Sequence, residues 1–170
     1  DHRDHIAGLA QLIRRHPVPV FASGATCHSL LRQIPDLAAW LRPLPLPACH
    51  CENDLRIKAL PTPHDTEGSC FFQLSKGGVT LTQMTDAGSV TQEMLQAIGE
   101  SQILLIESNH DEDLLLAGSY PSFLKERILG RLGHLSNLTA AATVAETHHP
   151  QLRHLVLLHL SEENNRPDLS

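Results

Sequence analysis

Asp1-His2-Arg3-Asp4-His5 opens the chain and reads as the last five positions of a His-x-His-x-Asp-His metal-binding loop. Two imidazoles and a carboxylate so close together can be aimed at two adjacent cations, and mixed His/Asp sets suit zinc, manganese or iron. The chain holds 12 histidines in 170 residues, so a His beside an Asp also arises by chance and the pentapeptide needs support from further along. Directly after it, Ile6, Leu9, Ala10 and Ile13 recur at helical spacing, which places the loop at the start of a helix. There Asp4 meets unpaired backbone N–H groups and the positive end of the helix dipole while still offering an oxygen to a cation.

Ligand-type side chains return where apolar strands end. Pro63-His64-Asp65 follows the run from Leu55 to Leu60, and Thr85-Asp86-Ala87-Gly88 follows Val79 to Met84. The short run His154 to Leu158 delivers His159, ahead of Leu160-Ser161-Glu162-Glu163-Asn164-Asn165. Two further clusters, Glu107-Ser108-Asn109-His110-Asp111 and Gly133-His134-Leu135-Ser136-Asn137, stand after an apolar strand and before a helix, where polar groups can converge on a cleft. A carboxylate has two oxygens and a negative charge to set against two dications, a role that imidazole cannot take.

Taken together and in this order, these motifs resemble the metallo-β-lactamase fold superfamily, in particular its YycJ-like branch of bacterial hydrolases. The resemblance implies an α/β (α+β) fold, the four-layer αββα sandwich, incomplete here for lack of its N-terminal strands. It implies that His2 and His64 hold a first divalent metal, that Asp4, His5 and His159 hold a second, and that Asp86 bridges the pair. The family's first histidine would stand immediately before Asp1, so the chain is expected to be a fragment, a single domain over 1–170. Its unpaired sheet edge would then be met by the missing N-terminal segment or by a second copy, or be left incomplete and prone to aggregate. A Gly-His-Ser/Thr element supplies a proton donor in related phosphodiesterases, and Gly133-His134 resembles it, so His134 is the expected general acid. Asp4, Asp86 and His134 are thus the expected catalytic residues. Asp65, Glu107, Asn109, His110 and Asn137 are expected to orient ligands or touch substrate. For Asn109 a plain helix-capping role stays open, and for Asp65 a turn role.

Between the motifs the pattern alternates. Pro17 to Phe21 reads as a strand, Gly24 to Ile34 as a helix with Leu30, Leu31 and Ile34 inward, and Pro35 to Pro47 as a long surface connection. Residues 55–62 and 69–85 read as β structure with a Lys76-Gly77-Gly78 hairpin turn. Helices are expected over Ser89–Ile98, Asp111–Ala117, Pro121–Leu129 and Ser136–Thr147, and strands over Gln102–Glu107 and 154–158. The stripe Leu124, Ile128, Leu132 is expected to be core. His16, His28, His50, His148, His149 and His154 have no partner motifs and receive no role.

Composition is 41% hydrophobic with a net charge of −6, which opposes a broad phosphate-binding surface, leaving Lys125, Arg127, Arg131 and Arg166 as local candidates. No run of about eighteen apolar residues is present, so no membrane span is expected. Cys27, Cys49, Cys51 and Cys70 lack zinc-finger spacing and read as free thiols of a cytoplasmic protein. Two zinc or manganese ions would share a hydroxide as the nucleophile. The resemblance favours phosphodiester hydrolysis on DNA, in the manner of an exonuclease. A thioester or lactone hydrolase of the same fold is the second reading, and an inactive remnant keeping half a site is the third.

Overall fold

The computed structural model describes residues 2–170. The chain starts with two short helices, α1 (Arg3–Ile6) and α2 (Leu9–Arg15), rather than one, joined by a turn at Ala7 and Gly8. A parallel pair follows, β1 (Val20–Ser23) and β2 (Leu41–Leu44), joined through α3 (Gly24–Gln33) and a 3-10 turn at Pro35–Leu37. The Ser23 hydroxyl caps α3 by accepting from the Thr26 N–H, which satisfies one of the donors every helix start leaves unpaired. The expected surface connection Pro35–Pro47 therefore contains a strand. Proline is tolerated there because β2 has a partner on one side only. Within α3 the inward residues are Cys27 and Leu30; Leu31, expected to point inward, is 38% exposed. Ile13, Cys27, Leu30, Leu37 and Leu41 form one apolar cluster beneath this part of the molecule.

The larger sheet runs in sequence order: β3 (Ala48–Glu52), β4 (Leu55–Pro61), β5 (Cys70–Lys76), β6 (Val79–Met84), β7 (Ile103–Glu107) and β8 (His154–Leu158). The hairpin turn at Gly77 and Gly78, both with positive φ, matches the expectation, since glycine takes that conformation without steric cost. β3 carried no strand signal, and its register against β4 (Cys49 with Lys58, Cys51 with Arg56) is what holds it extended. β7 lies between β6 and β8, and Leu104 and Ile106 are fully buried, as its continuous apolar run requires. Helices α4 (Gln92–Gly99) and α7 (Asn137–Thr147) supply Met94, Ala97, Ile98 and Ala140 to the interior; the first three pack with Leu104, Ile106 and Phe71. Helices α5 (Glu112–Ala117) and α6 (Ser122–Leu129) lie in the β7–α7 connection. The expected core stripe on α6 is not one: the helix has no buried residue, and Leu132 beyond it is 52% exposed.

Strand direction places the site. β4 is antiparallel to β5 and β5 to β6, so β4 runs with β6, and β7 and β8 are parallel to β6. Four strands thus present their carboxyl ends at one edge, where ligand sites of such sheets collect. His64 follows β4, Asp86 follows β6, Glu107 ends β7 and His159 follows β8. No helix among the described residues is long and apolar enough to cross a membrane.

Candidate metal centre

Asp86 sits at the middle of this rim. Its Oδ2 lies 2.8 Å from His5 Nε2, and its Oδ1 lies 3.6 Å from His64 Nε2, 3.6 Å from His134 Nδ1 and 3.8 Å from His159 Nδ1. The imidazoles form a crescent around it: centroids are 5.2 Å apart for His2 and His64, 5.2 Å for His64 and His134, 5.3 Å for His134 and His159, and 5.3 Å for His159 and His5. Both Asp86 (φ 56) and His159 (φ 58) adopt left-handed backbone. That conformation is strained for residues other than glycine and gathers at functional sites.

Donor atoms fall into groups small enough to share a cation. His2, His64 and Asp65 make one, and Asp4, His5 and His159 another, with all donors in each within 4.8 Å of one another. His64 faces the Gly133 carbonyl through Nδ1 at 3.1 Å, which assigns the proton to Nδ1 and leaves Nε2 pointing at His2, Asp65 and Asp86. His159 donates Nδ1–H to Glu107 Oε1 at 2.7 Å and keeps Nε2 towards Asp4, 3.4 Å away. Such an outward bond to carbonyl or carboxylate is how metal-binding imidazoles are oriented. This donor chemistry, imidazole nitrogens and carboxylate oxygens, fits divalent ions.

Asp86, Glu107, His134 and His159 also have donor atoms within 4.8 Å of one another, yet Glu107 is not free to ligate. It is fully buried, its Oε1 accepts from His134 and His159, both at 2.7 Å, and its Oε2 accepts from the backbone of Ala87 and Leu135. Four donors fill the four lone-pair directions of a carboxylate. Burial would raise its pKa, but the bonds from His134 and His159 outweigh that and hold it below the usual carboxylate range. For Asp86 too burial is overcome, by the His5 hydrogen bond and the charges of His159 and His5, so it stays ionised far below the ordinary value. The Glu107 bond pushes the His159 ring up to about 9. His5 is raised by its bond to Asp86, while burial lowers His64.

The remaining expected residues divide. Asp65 lies 3.4 Å from His64 Nε2 and pairs through its other oxygen with Arg127, whose bond holds Asp65 below its usual pKa. Asn109 does not cap α5; Asp111 does, accepting from the Leu114 N–H. Asn109 instead donates to the His159 carbonyl at 2.8 Å and fastens the strained loop. Asn137 bonds Asn165 and Ser108 and His110 is 1% exposed with no hydrogen-bond partner on either ring nitrogen; neither hydrogen-bonds to the donor set. Of the expected phosphate contacts, Lys125 is engaged by the Leu116 and Gly118 carbonyls, Arg127 by Asp65, and Arg166 by Asp168. Three contributors received no role from the sequence, although two of them stand in the quoted motifs: Thr66, whose hydroxyl is 3.0 Å from His2; buried Asn165, bonded to the Ser108 and Asn109 carbonyls; and Gly88, packed so closely on Gly133 and Arg131 that a Cβ has no room.

Residues 1–160 match the beta-lactamase superfamily domain. The chain is 31% identical over 173 residues to the exodeoxyribonuclease YycJ of Bacillus anthracis, an alignment covering all of this chain and 65% of that protein. It therefore spans just under two thirds of that relative's length. Among solved structures it resembles the metallo-beta-lactamase fold protein YhfI from Bacillus subtilis, with TM-score 0.72 and 16% identity over 99% of this chain and 65% of that one. The zinc-bound PqqB from Methylobacterium extorquens gives TM-score 0.71 and 20% identity over 99% of this chain and 59% of that one. The arrangement of sheets and helices is that of the metallo-β-lactamase fold, as the motifs implied.

Proposed function

Because the chain belongs to the beta-lactamase superfamily, we propose that it forms the metal-binding part of a hydrolase acting on phosphodiesters of nucleic acid. The observation that carries this reading is the single carboxylate, Asp86, with one oxygen on His5 and the other facing His64. His2 and His64, with Asp65 beside them, would hold one divalent ion; Asp4, His5 and His159 would hold the other, with Asp86 between. Such a pair of ions supplies an acidified water and offsets negative charge on a phosphoryl group. The chain's own residues do the rest. Glu107 fixes both His134 and His159 by their Nδ1–H, and His134 Nε2, which has no hydrogen bond among the described residues, is the position from which a proton would pass to a leaving oxygen. Asn109 and Asn165 keep the His159 loop in place. Preference for DNA rests on the relative's name together with Arg131, which has no ion pair among the described residues.

Metal quantitation followed by parallel assays tests the reading. Two equivalents of divalent metal per chain, lost in Asp86→Ala, with cleavage of 5′-phosphorylated duplex DNA abolished in His64→Ala, are expected. Turnover of a lactone or thioester in place of DNA would move the assignment to a small-molecule hydrolase. Absence of bound metal would make the chain a remnant.

A further inference from the structure

Helix α6 borders the metal rim, yet none of its residues is buried. Its second half is fastened there: Arg127 pairs with Asp65, and the Ile128 carbonyl accepts from the His134 N–H. One turn before Arg127, Phe123 is 71% exposed. Positions four apart share a helix face, so Phe123 stands on the face that reaches the rim, about 6 Å along the axis from Arg127. Arg131 follows four residues later, past the helix end. Its carbonyl accepts from Ser89, and its backbone abuts Gly88 in the loop of Asp86. With Arg127 paired to Asp65, the segment 122–132 keeps Lys125 and Arg131 against Glu126 alone, in a chain of net charge −6.

We propose that Phe123 stacks on an unpaired nucleobase adjoining the phosphate held at the rim, with Arg131 against that strand's backbone. This rests on the nucleic-acid reading above. Stacking on an exposed aromatic is sequence-tolerant and works with neighbouring cations that follow the backbone. Charge decides the occupant: the local excess of cations complements phosphates, whereas a second copy seated on this face would bring like-charged segments together.

The test is anisotropy of a labelled 5′-phosphorylated phosphorothioate oligo-dT, which resists cleavage, with the metal-loaded full chain. Phe123→Ala is expected to weaken binding about tenfold at every salt concentration, and Phe123→Trp to restore it. Arg131→Ala is expected to reduce the slope of log affinity against log salt by about 0.7, while Phe123→Ala leaves that slope as it is. Wild-type affinity in Phe123→Ala overturns the proposal, and if a dimer also dissociates in sedimentation, the face is a self-contact instead. No measurable binding by the wild-type chain overturns it too. A chain that binds through Phe123 but cleaves no diester defeats the hydrolase reading alone. Conversely, cleavage of bis(p-nitrophenyl) phosphate with Phe123-independent binding defeats only the stacking.

Discussion

At Glu107, two imidazole N–H groups and two backbone N–H groups converge on one buried carboxylate. Glu107→Gln keeps the shape but turns an amide NH2 towards donors, leaving buried N–H groups unmatched. We expect it to fold with a lowered Tm and to lose about 10- to 100-fold in metal affinity, measured by competition with a chromogenic chelator. His159 gives a pH dependence of definite sign. Its folded pKa is raised to about 9 against about 6.5 in an unfolded chain, so the fold favours the protonated ring. That contribution is complete below pH 6.5 and is lost as pH rises through 9. In EDTA, the Tm advantage of wild type over His159→Asn should shrink between these limits. Metal requires the neutral ring, so binding should release protons, and less of them as pH approaches 9.

At the scale of elements, the site depends on loops that follow strands being pressed against one another. A Cβ on Gly88 would fall 2.2 Å from Gly133 N and 2.5 Å from the Arg131 carbonyl carbon, so the Asp86 loop and the His134 loop would have to separate. Gly88→Ala is expected to cost about 1–3 kcal/mol in urea unfolding and to weaken metal binding. Gly24, at the start of α3, has nothing within 4 Å of the same position; Gly24→Ala should be neutral or stabilise by about 0.4–1 kcal/mol, by restricting the unfolded chain. The elements that sequence displayed clearly were those with their own periodicity or turn chemistry, such as β7, α7 and the Gly77-Gly78 hairpin. β2 and β3 were hidden because proline and polar residues mask their pattern, and pairing with a neighbour makes them strands.

Across the whole molecule, the proposed ligands from His2 to His159 bring the two ends of the chain to one rim, so a metal held by them would bind the folded state and not the unfolded one. Added at 100 times its Kd, a divalent ion should stabilise by about 2.7 kcal/mol per site; a rise in Tm that vanishes in Asp86→Ala is the expected result of differential scanning fluorimetry with and without EDTA. The sequence by itself determined the kinds of ligand, their order and their placement after apolar runs, because residue chemistry and strand or helix period are local properties. Residue chemistry alone could not tell which side chains meet, and only the family resemblance grouped Asp4 with His159. Asp4 and His159 are 155 residues apart, Arg127 and Asp65 are 62 apart, and Glu107 gathers His134 and His159 from two further loops. Sheet register and loop packing decided those partnerships, along with the strained backbone at Asp86 and His159, because contacts between distant segments are fixed by how the whole chain is packed and leave no mark on either segment alone.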